Sequence, residues 1–209
     1  MLGEFASKDA IETARHQLGL DVPLPLQYLR WLQGLVTGNL GTSYFQRKAV
    51  LTLILQAFKY TFVMAIAAYI IAIVIGLLFG VLAAVYHNRI IDRILMSLSI
   101  FGISAPSFWI AIILQIFVGL KLGWFPVSGV KSSVWWVLPS FSLGIRSAAS
   151  IARVTRTSML EVMKQDYIRT AFAKGISYPR IIFFHAFRNA LIPIMTILGN
   201  DFGLLLTGS

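Results

Sequence analysis

YTFVMAIAAYIIAIVIGLLFGVLAAVY, residues 60–86, carries no formal charge and is built almost wholly of Ala, Ile, Val, Leu, Phe and Tyr. A helix needs roughly 20 predominantly apolar residues to cross a bilayer, so this stretch predicts a transmembrane span. Downstream, residues 94–120 form a second uncharged run between Arg93 and Lys121. Pro106, after Ser104-Ala105, is expected to kink or break that span, which a membrane tolerates only where protein or a water-filled cavity satisfies the freed backbone groups. A third span is expected over residues 134–152, opening on the interfacial pair Trp135-Trp136 and holding Arg146 as an internal charge. A fourth, residues 191–209, is still unfinished at Ser209.

Composition agrees with this reading. The 209 residues are 57% hydrophobic and 12% charged, with mean hydropathy +0.78. A soluble domain carries about 25% charged residues, and disordered chains are polar and poor in aromatics, so both classes are excluded. The fold class is an all-α integral membrane protein. Lys and Arg number 18 against 8 acids, for a net charge of +10. In a membrane protein this reflects basic loops retained in the cytoplasm, not nucleic acid. With no cysteine, disulfides, thiolate metal sites and thiol nucleophiles are excluded. No acid occurs between Asp21 and Asp92, nor between Asp92 and Glu161. The spans are therefore expected to lack the carboxylates that a proton or sodium relay requires.

Basic residues set the orientation. The turn at 87–93 holds His87, Arg89 and Arg93 against Asp92, and Arg153, Arg156, Lys164, Arg169, Lys174, Arg180 and Arg188 face only Glu161 and Asp166. Both segments fall on one side of a three-span chain, the cytoplasmic side by the positive-inside rule. Residues 1–59 and the loop 121–133 are then external. Within 1–59, Asp9 and Glu12 resemble a capping box opening a helix to about Leu18. Leu26, Leu29, Leu32, Gln33 and Val36 recur at helical spacing. They form either an amphipathic helix on the outer surface or an ordinary packed helix of a small subdomain. No signal or span precedes this external start, and the last span breaks off, so a longer subunit is expected.

Two stripes of small residues, Ala68/Ala72/Gly76/Gly80/Ala84 and Ser140/Gly144/Ala148/Ala152, allow close helix approach, as static packing or as a sliding interface. Arg146 faces either a translocation path or, by snorkelling, the cytoplasmic surface.

The informative cytoplasmic stretch is Arg153 to Pro193. Residues Met159 to Phe172 read as one helix, with Leu160, Met163, Tyr167 and Ala171 on one face. Gly175 ends it; Ser177 caps a second helix, Tyr178 to Arg188, with Pro179 in its first turn. At Pro193 the chain turns back into the membrane. Two short helices at an angle, presenting apolar and basic groups, form a docking element.

Asp166-Tyr167-Ile168-Arg169-Thr170-Ala171-Phe172-Ala173-Lys174-Gly175, followed by His185-Ala186-Phe187-Arg188-Asn189-Ala190-Leu191-Ile192-Pro193, resembles the coupling-loop signature of bacterial ABC importer permeases. The resemblance is to the dipeptide, oligopeptide and nickel branch. Arg15 to Asp21, Gly41-Thr42-Ser43-Tyr44, Pro106-Ser107-Phe108-Trp109 and Leu122-Gly123-Trp124-Phe125-Pro126 agree with it. Aligned on Gly175, only Ala171 and Gly175 match the general Glu-Ala-Ala-x3-Gly-x9-Ile-x-Leu-Pro form; the departures are those of the peptide branch.

The resemblance implies the type I ABC importer transmembrane fold over residues 60–209, with coupling helices at 159–188. It implies a permease subunit for di- or oligopeptides or a related small solute, in the bacterial cytoplasmic (inner) membrane. Its partners would be a second homologous permease, two cytoplasmic ATPase subunits and an external solute-binding protein. ATP would sit on the ATPases, with no cofactor or metal on this chain. The implied coupling residues are Asp166, Tyr167, Arg169, Ala171, Phe172, Lys174, Gly175, His185, Arg188 and Pro193; Arg146 and Pro106 are candidates for the path. It also implies a span before residue 1 and further span beyond Ser209.

The sequence lacks a P-loop, and His16, His87 and His185 lack metal-ligand spacing. No Ser/His/Asp set lies within a span, so the chain is not expected to be an enzyme. The competing classes are a secondary carrier, which calls for intramembrane acids and repeats, and a membrane scaffold without a docking element.

Overall fold

The computed structural model describes Glu12, Arg15, His16 and residues 19–130 and 132–207. The chain divides into two compact units, Met1–Tyr60 and Thr61–Ser209. Among the described residues the architecture is helical; the only strand-like pairing is an isolated antiparallel bridge between Thr42 and Ala49. The helix expected from Asp9 to Leu18 falls outside the described residues, apart from Glu12, Arg15 and His16, which are helical.

In the first unit, α1 (Leu24–Val36) starts behind Pro23 with Pro25 in its first turn, where a fixed φ suits the helix and a missing N–H costs nothing. Its end folds back: the Asn39 N–H donates to Gly34 O at 2.8 Å. A Cβ at Gly34 would lie 2.7 Å from Asn39 O. No residue of α1 is buried, and Leu24, Leu26, Tyr28, Leu29, Trp31, Leu35 and Val36 are exposed.

α2 (Val50–Val85) begins well before the expected Tyr60. Residues 50–58 are apolar save Thr52 and Gln56, and a single Lys59 does not stop a helix, because its stem lies along apolar surface while its ammonium reaches out. α3 (Ile90–Ser104) and α4 (Ser107–Leu114), which continues as a π-helical run Gln115–Lys121, are bent by 106° at the break. Pro106 disfavours the helical region for Ala105, which is extended at φ −74°, ψ 130°.

α5 (Val137–Met163) does not end near Ala152 but runs on to Met163. No glycine or proline follows Gly144 within it, and Arg153 and Arg156 are good helix formers. At 27 residues it is about 40 Å long. Among the described residues two helices are long and apolar enough to cross a membrane, Val50–Val85 and Tyr178–Leu206, with a third if the bent α3–α4 pair is one span. α5 is more polar because it is central. It packs against α3, α4 and α8 (Arg188–Thr207), so Ser140, Ser142, Thr155 and Ser158 are buried against protein.

Both small-residue stripes meet each other. A Cβ on Gly76 would lie 2.8 Å from Ala148 O, one on Gly144 2.7 Å from Ala68 O, and one on Gly80 2.7 Å from Ala152 O. The Ser140 hydroxyl donates to Met64 O at 3.2 Å. Residue numbers rise together along the contact, so α2 and α5 are parallel. Across it, Tyr69 of α2 donates to Leu198 O of α8 at 3.1 Å and packs with its ring tilted against Phe202, centroids 5.0 Å apart.

The cytoplasmic stretch differs from expectation in two places. Residues 159–172 are not one helix: α5 ends at Met163, Gln165 is extended (ψ 150°), and α6 (Asp166–Ala173) starts anew. The Asp166 carboxylate suits a fresh N-terminus. Nor does the chain turn at Pro193. α7 (Tyr178–Arg180), a π-helical run Ile181–Phe187 and α8 follow without interruption, with Pro193 inside α8. The Asn189 side-chain amide donates to His185 O at 2.7 Å, satisfying a carbonyl where the π and α ladders join. Such local adjustment is how membrane helices absorb irregularity.

One further expectation fails. The spans are not free of carboxylates, because Asp201 lies in α8 at 7% exposure. The long uncharged runs of α2 and α4 obscured a single acid near the end of the chain.

Candidate functional site

The α5–α6–α7 junction forms one element, partly buried and partly exposed. Ile168 and Ala171 of α6 and Ile181, Ile182 and Ala186 beyond it are buried, in one cluster with Met159 of α5 and Ala84 of α2. Tyr167, Phe172, Tyr178, Phe183 and Phe184 of the same stretch are exposed. Phe172 and Tyr178 lie 6.1 Å apart across the α6–α7 turn.

Gly175 makes that turn. Its φ of +73° is in the left-handed region, yet no atom lies within 4 Å of a Cβ placed there, so conformation and not space demands glycine. Its N–H donates to Phe172 O at 2.9 Å, and that of Ile176 to Ala171 O at 3.2 Å, the double bond of a Schellman end. Ser177 sits at the next N-cap, but its side chain makes no capping bond.

The named coupling residues separate on this geometry. Asp166, Tyr167, Arg169, Phe172, Lys174, Gly175 and Arg188 are exposed, His185 is half-buried, and Pro193 is exposed within α8. Arg169 pairs with Asp166 at 3.5 Å in an open surface bridge, a type that contributes little. Ala171 differs from the others in being buried. At 6% exposure it packs into this chain's own core, so its small side chain brings α6 onto its neighbours and not onto a partner. Phe187 likewise packs against that core, whereas Phe184 is 69% exposed.

Above this element is a pair that no sequence spacing announced. Arg156 of α5 donates from Nε to Asp92 Oδ1 at 2.6 Å and from Nη2 to Asp92 Oδ2 at 2.8 Å. His87 Nδ1 lies 3.1 Å from the same Nη2, and the Asn88 N–H donates to Asp92 Oδ2 at 2.9 Å. Asn88 takes φ +63° to do so. The fork joins the α2–α3 turn to the part of α5 that leads into α6.

Within the membrane, Arg146 and the Pro106 break converge on one cavity of about 360 Å³. Ser107, next to Pro106, lines it with Arg146, Ser150 and Arg153 of α5 and Asn200 and Asp201 of α8. Pro106 itself is exposed. Ser147 lines the same cavity beside Asp201. Asp201 Oδ2 is buried with no hydrogen-bond partner. Asp201 was the residue missed, and α-helical spacing to no known motif could have found it.

Residues 76–209 match the family described as Binding-protein-dependent transport system inner membrane component. Residues 1–65 match its N-terminal companion, Binding-prot-dependent transport system membrane comp, N-term. Among curated relatives, the glutathione transport system permease protein GsiC of Escherichia coli strain K12 is 40% identical over 207 residues, 99% of this chain and 68% of that protein. GsiC of Pectobacterium atrosepticum is 39% identical over the same shares, and that of Salmonella paratyphi A 40%. The first match takes in about 64% of the chain, from the second part of α2 through α8. The chain belongs to the inner-membrane components of binding-protein-dependent transport systems, the permease subunits of ATP-driven importers.

Proposed function

We propose that this subunit imports a small peptide and takes its driving force from a cytoplasmic ATPase seated on the exposed aromatic side of residues 166–187. The observation that carries this is a set of uncovered aromatics on an element whose other large apolar side chains are packed into the core. Tyr167, Phe172, Tyr178, Phe183 and Phe184 remain uncovered among Arg169, Lys174, Arg180 and Arg188. Clustered aromatics beside arginine are the composition of interface anchors. Because α6 is braced on α5 and the π-helical run leads straight into α8, a push on it reaches two spans. The remaining partners in this reading are a second homologous permease, a second ATPase subunit and an external solute-binding protein. ATP stays on the ATPases. The solute follows the relatives, named for glutathione, a small peptide, and its path passes Arg146 and the Pro106 break.

The test uses the full-length subunit assembled with these partners in proteoliposomes. Phe184→Asp places a charge on the docking side without entering the core. Solute-stimulated ATP hydrolysis and uptake are expected to fall at least about tenfold, the scale of one interface anchor, with an unchanged melting temperature of the subunit. Stimulated hydrolysis at the wild-type rate would remove the docking role. Asp201 favours a second reading, an ion-driven carrier. Uptake that persists without ATP and collapses with an ionophore would support it.

A further inference from the structure

The cavity at the α3–α4 break has a charge pattern that its own residues do not balance. Arg146, Ser150 and Arg153 share a face of α5 at i, i+4 and i+7, with the Cα atoms of the two arginines about 10 Å apart along the helix. Both arginines are exposed in this chain. Opposite them, Asp201 is 93% buried by its 7% exposure, and one of its oxygens has no partner. Two guanidinium groups thus line the cavity with one buried carboxylate.

We propose that this cavity is the solute subsite and that it takes a small acidic peptide. The peptide ammonium would bind Asp201, and two carboxylates would bind Arg146 and Arg153. The inference rests on the peptide-import reading above and adds the recognition chemistry. A ligand with one ammonium and two carboxylates matches the cavity charge for charge. Ser107, Ser150 and Asn200 supply neutral hydrogen bonds for the peptide amides, and the cavity volume is within the range of small-molecule sites.

The experiment uses the assembled transporter in proteoliposomes with two probes, S-methylglutathione (one ammonium, two carboxylates) and alanyl-alanine (one of each). Arg146→Gln is expected to lower S-methylglutathione uptake roughly tenfold, the loss of one charge-assisted hydrogen bond. Alanyl-alanine, which can still use Arg153, should be affected far less. Asp201→Asn should lower both, and the double variant should be worse than either single one. Equal losses for the two peptides in Arg146→Gln, or recovery in the double variant, would show that the pair merely neutralises itself and would overturn the proposal.

A second readout does not depend on transport. The chain has no cysteine, so Ser150→Cys offers one thiol in this subunit to a polar thiol reagent. S-methylglutathione should slow its labelling, and should fail to do so when Asp201→Asn is added. If the wild-type complex imports neither peptide, the peptide-import reading fails by itself. Labelling then still decides the cavity: slowed labelling supports the subsite, and unslowed labelling overturns it.

Discussion

At the scale of single residues, two glycines matter for opposite reasons. Gly80 has an ordinary helical conformation, but a Cβ there would collide with the Thr155 side chain and lie 2.7 Å from Ala152 O. Gly175 has open space and a left-handed φ of +73°. Substitution at Gly80 should therefore become worse with size, with Gly80→Ala costing about 1–3 kcal/mol by overpacking and Gly80→Asn more. At Gly175 the order should invert. Alanine costs about 1–2 kcal/mol for the left-handed conformation, which asparagine tolerates better. Thermal unfolding of the four detergent-purified variants of the full-length subunit checks both orders; the same order at both sites would refute the distinction. Ala171 belongs here too. Because it is buried in the chain's own core, Ala171→Glu is expected to lower the yield of folded subunit, so it reports on folding before docking.

Among elements, the Asp92–Arg156 fork fixes α5 to the α2–α3 turn. Side-chain exposure is 3% for Asp92 and 23% for Arg156, so the aspartate is the more poorly hydrated partner. Removing one member of a buried pair costs about 3–5 kcal/mol because the other is left uncompensated. The larger loss should come from Arg156→Met, which strands Asp92, and the smaller from Asp92→Asn, which leaves the arginine partial access to water. The double variant Asp92→Leu/Arg156→Met should recover much of the loss, since an apolar replacement removes both desolvation costs. Melting temperatures of the three variants measure this. A double variant no more stable than Arg156→Met alone would mean that the fork does not act as a pair. Thr155, next to the fork, packs on Gly80, so loosening the pair should also loosen the α2–α5 contact.

For the whole molecule, the basic residues predict which end lies in the cytoplasm. Ser128, in the loop after the π-helical run, and Ser177, at the α6–α7 turn, are both exposed. In intact cells an impermeant thiol reagent should label Ser128→Cys of the full-length subunit. It should reach Ser177→Cys only after the membrane is opened. The reverse pattern would invert the chain in the membrane, and with it the side on which an ATPase could dock.

The helical membrane class, the break at Pro106, the turn at Gly175 and the two small-residue stripes were legible in the sequence. Each rests on local chemistry: apolar run length, a missing N–H, a positive φ, a missing Cβ. Motif order further carried the resemblance to importer permeases. Only the tertiary structure decided which surfaces meet. The stripes of α2 and α5 cover each other because they lie parallel and in register. Ala171 faces inward because α5 stops at Met163 and α6 sets off again from Asp166. Asp92 pairs with Arg156, and Arg146 and Asp201 line one cavity, across long separations. A charge in the chain records its own sign, but whether it faces lipid, water or an opposite charge depends on the helices packed around it.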